Sequence, residues 1–195
     1  RADIEISDLR DEMAIYVLFE EKEKPNKLRS IFENKGILSI DPRDKKLGFR
    51  TLLPLHKSKE VIDSLELPKL QFKDYDVLRL KLGLPDGSRD IDIEKSTIAD
   101  FKFELANGVD FSKGCYVGQE VTTRMKSRGK SRRQLIPVQV SGTIPPRGTL
   151  VFKNGKEVGE IKSGIDGFAL ALIRPDRLTN AGTGPLLAGN TSIAL

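Results

Sequence analysis

The chain has a single cysteine and a single histidine among 195 residues. One cysteine excludes an internal disulfide and any site built from several thiolates, and it fits a reducing compartment. One histidine with no second one to help it argues against the usual His/Cys zinc or iron site, so no metal is expected on this chain alone. Long apolar runs are also missing. The longest, such as Ala14 to Phe19, are strand-sized, far short of the ~18–20 residues that cross a bilayer. No membrane association is expected. Residues 1–15 carry charges of both signs and no apolar core, so no signal peptide is read there. The sequon Asn190-Thr191-Ser192 reads as chance in that setting.

What the chain does have is a concentrated charge. Its net charge is +5, yet residues 113–133 hold seven cations (Lys113, Arg124, Lys126, Arg128, Lys130, Arg132, Arg133) against one carboxylate, Glu120. That local surplus of six exceeds the surplus of the whole chain. It favours an anionic partner: a nucleic acid, a phosphate or a polycarboxylate.

Periodicity predicts short strands at Ile4–Ile6, Met13–Phe19, Ile37–Ile40 and Gly48–Leu55. Helices are predicted over 27–34, over 58–67 with Ser58 as N-cap, and over 74–82. After Arg133 the texture changes to strands at 134–140, 149–152, 156–162 and 168–173, with a weak one in 186–195. They are separated by turns such as Asn154-Gly155 and Gly164 to Gly167, the pattern of a small antiparallel barrel or sandwich. The expected fold class is α+β, a mixed part followed by a small C-terminal antiparallel β-barrel. The domain reading is 1–133, subdivided into 1–68 and a return segment 69–133, then 134–195. Arg1 opens in the middle of an apparent strand, so an N-terminal part is expected to be missing.

The densest motif is Lys113-Gly114-Cys115-Tyr116-Val117-Gly118-Gln119-Glu120. With Ser112 as a helix cap, Cys115 would sit near a helix N-terminus. There the macrodipole and nearby cations would lower the thiol pKa. Such a thiolate suits a nucleophile, a cluster ligand or a redox-sensitive group, and the residues alone leave these open, along with plain packing. Gly114 and Gly118 would admit a close backbone or a flat ligand. Glu120 is spaced to pair with Arg124 at i+4. Asp86, Asp90 and Asp92 lack the pattern of a calcium loop, and His56 has no partner motif.

Residues 109–129, V-D-F-S-K-G-C-Y-V-G-Q-E-V-T-T-R-M-K-S-R-G, closely resemble the signature of the YgfZ-like family, relatives of the glycine-cleavage T-protein. Arg79 to Asp90, R-L-K-L-G-L-P-D-G-S-R-D, resembles the segment ahead of that signature. The resemblance implies a T-protein-like multidomain fold, tetrahydrofolate as ligand, and a role in assembling or repairing iron–sulfur clusters of client enzymes, tRNA-modifying enzymes among them. It makes Cys115 the functional residue. Lys113, Gly114, Tyr116, Gly118, Gln119, Glu120 and Arg124 are ligand-side neighbours, and Arg79 is a weaker one. The setting implied is a bacterial cytoplasm, or a mitochondrial matrix in a eukaryote. Where T-proteins carry a folate-associated glutamate, this chain has Lys81, and the family's Pro-x-Glu is replaced by Ile98-Ala99-Asp100. Two further readings stand beside this one. Aminomethyl transfer to folate would use Asp100. RNA binding would use residues 124–133, a run without interleaved aromatics.

Overall fold

The structure is a computed structural model that describes residues 3–19, 25–128 and 132–195. By contacts the chain divides into two units, Arg1–Leu70 and Gln71–Leu195. No described helix is long and apolar enough to cross a membrane.

The first unit is a three-stranded antiparallel sheet, order β1-β3-β2, built from β1 (Met13–Leu18), β2 (Ile37–Ile40) and β3 (Phe49–Pro54). Two helices, α1 (Pro25–Phe32) and α2 (Leu55–Asp63), supply Leu28, Phe32 and Val61 to a core with Leu18 and Leu53. The other sheet face is apolar but open. Ile15, Leu52 and Ile37 align across the three strands, with Ile15 64% and Ile37 60% exposed. Chain reversal before β3 uses a 3₁₀ turn, Lys45–Leu47, capped by the Asp44 carboxylate accepting the Lys46 N–H. Gly48 then takes φ 76°, where a Cβ would lie 2.0 Å from the Leu18 carbonyl oxygen, so no other residue fits.

Two expectations in this unit fail. Ile4–Ile6 forms no strand: Ile4 and Ile6 are exposed, and alternation without a neighbouring strand has nothing to pair with. The second helix starts at Leu55, not after Ser58. Pro54 presets the entry at φ −54°, and Ser58 is buried inside the helix, its hydroxyl donating to the Leu55 carbonyl and lying 3.3 Å from the Tyr16 hydroxyl.

The second unit contains α3 (Phe72–Lys81), a 3₁₀ turn (Ile98–Phe101), α4 (Gln119–Arg128) and a closed antiparallel barrel. The barrel strands are β4 (Gln134–Ser141), β5 (Leu150–Lys153), β6 (Lys156–Ile165), β7 (Phe168–Ile173), β8 (Leu186–Ala188) and β9 (Thr191–Ala194). They run in the order β4-β7-β6-β5-β8-β9, and β9 closes on β4. A short helix, α5 (Pro175–Asn180), follows β7 with proline at its first position. The Asn154-Gly155 hairpin appears as expected, both residues having positive φ. The β6–β7 turn is tighter than expected. It falls on Asp166-Gly167, and β6 runs on through Gly164.

β7 is covered on both faces. Its sequence FALALI is buried nearly throughout. Ala169, Ala171 and Ile173 fill the barrel interior with Val138, Val151, Val158 and Ile161. Leu170 and Leu172 point the other way and pack with Leu80 of α3, Phe101 and Leu135. A strand covered on both faces reads as a continuous apolar run, not an alternating one. The barrel strands begin at Gln134, and Leu80 and Phe101 ahead of them share a core with Leu170 and Leu172. The contact units divide at Leu70/Gln71.

Candidate functional site

The signature lies on an arm between Phe101 and Leu135, both of which are buried. Asp110 begins the arm's turn, its carboxylate accepting the Ser112 N–H at 2.7 Å and the Ser112 hydroxyl at 2.6 Å. Those bonds hold the Asp110 carboxyl below its ordinary pKa, the Ser112 hydroxyl bond being the largest cause. Ser112 lies seven positions ahead of α4 and does not cap it. The backbone is then irregular through Cys115 and turns at Val117-Gly118. Gly118 sits at φ 86°, which breaks any helix running from Ser112. α4 starts only at Gln119, whose side-chain oxygen accepts the Tyr116 N–H at 3.1 Å.

Cys115 is thus four positions ahead of the helix, exposed, and not at its N-terminus as the sequence suggested. Gly114 and Gly118 have open space where a Cβ would stand. The Lys113 ammonium lies 4.8 Å from the Tyr116 ring centroid, a cation–π contact beside the thiol. Val117 is fully exposed.

The cations that follow are largely engaged within the chain. Arg124 pairs with Glu120 at 2.6 Å, the i+4 bridge the spacing implied. Lys126 pairs with Glu104 and lies 5.0 Å from the Phe111 ring centroid. Arg133 pairs with Asp100 at 2.9 Å. The Lys130 part of the basic run lies outside the described residues. A shallow open recess runs beside Gln119, Glu120, Thr123, Arg124 and Ser127, and Cys115 is not in its lining.

Arg79 is not at a ligand surface. It is buried, donating to Asp76 and Asp90 at 2.8 Å each, to the Leu84 carbonyl at 2.7 Å and to the Ser163 hydroxyl of β6 at 2.9 Å. Arg89 adds a fork onto Asp76 at 2.6 and 2.7 Å and reaches Asp86. Burial alone would raise the Asp76 and Asp86 carboxyls. Hydrogen bonds more than reverse it, from Arg89 and Arg79 on Asp76 and from Ser88 and Arg89 on Asp86, and both pKa values end below the ordinary range. Sequence reasoning missed Lys162, which is buried with Asp92 and Glu160 at 2.6 Å each, while Arg147 also reaches Asp92 at 2.5 Å. The Lys162 bond is the main cause of a lowered Asp92 pKa. The three aspartates of the 86–92 loop therefore bind cationic side chains of the protein. Among the described residues no group of three His, Cys, Asp or Glu is placed to hold a metal ion. His56 is exposed in the first turn of α2.

Asp100 is buried and held by Arg133. Arg79 and Asp100 thus serve internal pairs while Cys115, Tyr116 and Arg124 face outward. Among the described residues, these side chains do not converge on one hollow.

Residues 132–195 match the domain family described as the CAF17 C-terminal beta-barrel domain. The chain is similar to three mitochondrial proteins named as iron-sulfur cluster assembly factor IBA57 or its homolog. With that of Dictyostelium discoideum it shares 32% identity over 148 residues, 72% of this chain and 36% of the relative. With that of Mus musculus it shares 32% over 152 residues, 75% of this chain and 42% of the relative. With that of Homo sapiens it shares 32% over 148 residues, 73% and 41%. The matched region thus spans less than half of each relative. Among solved structures, a glycine cleavage system aminomethyltransferase T from Bartonella henselae is similar, with TM-score 0.54 and 19% identity over 74% of this chain and 44% of that one. That likeness concerns the fold, which is aminomethyltransferase-like with a closed C-terminal barrel.

Proposed function

We propose that this chain is a YgfZ-like accessory protein for iron–sulfur cluster assembly or repair, and that Cys115 is its working group. The observation that carries this is the display of Lys113-Gly114-Cys115-Tyr116-Val117-Gly118-Gln119-Glu120 on an exposed arm, in a chain 32% identical to proteins named as iron-sulfur cluster assembly factors. The chemistry is consistent. A thiolate is a soft donor suited to iron–sulfur centres. A cluster takes about four cysteine ligands, and this chain has one. Any cluster that Cys115 touches is therefore cargo shared with a client or assembly protein that supplies the other ligands. An exposed thiol on an irregular segment is built for such a meeting and not for chemistry in a closed pocket. The setting that goes with this is the mitochondrial matrix in a eukaryote, or the cytoplasm in a bacterium.

Tetrahydrofolate belongs to the same proposal through its tail. The carboxylates of a polyglutamyl chain suit Lys113 and would take the place of Glu120 on Arg124, and tRNA-modifying enzymes are the proposed clients. The aminomethyl-transfer reading has less behind it, because its only named carboxylate, Asp100, is buried against Arg133.

The test is Cys115→Ala in cells lacking their own copy of the protein, reading the activity of cluster-dependent enzymes. The proposal expects that activity to stay at the level of the deletion. Restoration to the level given by the unsubstituted chain would overturn it.

A further inference from the structure

The arm poses a physical question: what fixes its shape? It leaves the packed core after Phe103, which is partly buried against that core, and rejoins it at Leu135, yet Leu105, Val117 and Val121 between them are exposed. Beyond Phe103, no fully buried apolar side chain fixes the path of its described residues. Two ion pairs cross its base. The outer one joins Asp100 to Arg133, which are 33 positions apart, and Arg133 also donates to the Lys95 carbonyl at 3.3 Å. The inner one joins Glu104 to Lys126, 22 positions apart, and the same Lys126 ammonium stands over the Phe111 ring. Closing a loop costs entropy that grows with its length. Each inner contact shortens the segment left free around Cys115.

We propose that Lys126, through Glu104 and Phe111, is the positioning residue of the signature arm, and that Asp100 and Arg133 form the fixed base of the same clasp. This rests on the reading that Cys115 is the working group. Asp100 then has a role, but it orients the arm and does not take a proton from a substrate.

The two pins differ in a way that can be measured. The Asp100 side chain is 5% exposed and its partner Arg133 37%, so this pair is the less open of the two to counterions. Lys126 and Glu104 are 49% and 45% exposed, so their pair is screened by salt. The arm should loosen from its tip as ionic strength rises, while its base holds.

The lone cysteine makes the test site-specific. A nitroxide label on Cys115 reports arm mobility through its line shape. Lys126→Glu should raise the mobile fraction about two- to fivefold, the range by which an exposed ion pair shifts an equilibrium. Raising salt from about 0.05 to 1 M should act in the same direction. The charge swap Glu104→Lys with Lys126→Glu should restore the ordered component, with the barrel's melting temperature unmoved throughout. An unchanged line shape in Lys126→Glu, or a swap that fails to restore order, overturns the clasp. Client-enzyme activity, read on the unlabelled variants, should fall in the single variant and return in the swap. A line shape that responds as predicted with activity indifferent to it leaves the clasp standing and counts against Cys115 as the working group.

Discussion

The barrel and the signature arm belong to one contact unit but are ordered by different forces. In the barrel both faces of β7 are covered, and Leu170 and Leu172 lie at 0% and 1% exposure. In the arm the motif side chains stand in water, and the conformation rests on Asp110 with Ser112, on Glu104 with Lys126 and on the Gln119 cap. A packed core has one arrangement, because volume errors cost energy. A segment held by polar pairs can yield to a partner at small cost. The chain thus carries its lone thiol on a segment held by polar pairs and joins that segment to a closely packed barrel.

The comparison breaks most sharply at Arg79. Removing its guanidinium in Arg79→Ala leaves Asp90 buried without its cationic partner and Asp76 with Arg89 alone. The expected loss is about 3–5 kcal/mol in chemical denaturation. A loss under about 1 kcal/mol would mean that the network is ornamental. Next comes Leu172→Ala, which hollows the cluster between β7 and α3 and should cost about 2–5 kcal/mol. Val117→Ala, on the arm, should fall within about 0.5 kcal/mol of the parent by the same measurement.

Acid should act on the second unit's polar network before it acts on the apolar cores. Asp76, Asp86 and Asp92 all have folded pKa values below their unfolded values. Their contribution to stability is therefore complete above about pH 4 and is lost as pH falls below that toward the folded values. Urea midpoints should be level between about pH 7 and 5 and drop below about pH 4. A midpoint level down to about pH 2.5 would show that these carboxylates contribute nothing.

These differences also explain which parts of the fold were legible in the sequence. β1, β2, β3 and β4 could be read because alternation and β-branched content follow directly from a half-buried strand. The Asn154-Gly155 hairpin could be read from turn chemistry. The packing of residues ahead of the barrel onto its outer face could not. Leu135 and Leu172 face outward from the barrel, and only the tertiary structure reveals that Leu80 and Phe101 cover them. Gly118 marked the place where α4 is held back, but a glycine in a polar run does not announce its φ. The motif itself was visible at once; the engagement of Arg79 and Asp100 by residues 11 and 33 positions away was not. Long-range ion pairs leave no periodic trace.

The central claim is that the exposed Cys115 thiol does the work, and alkylation tests it most directly because no other cysteine competes. Under native conditions iodoacetamide should modify Cys115 to one equivalent without denaturant and leave the barrel's melting temperature unchanged. The modified protein should no longer restore activity to a cluster-dependent client. Full restoration by alkylated protein, or a thiol that reacts only after unfolding, would contradict the account.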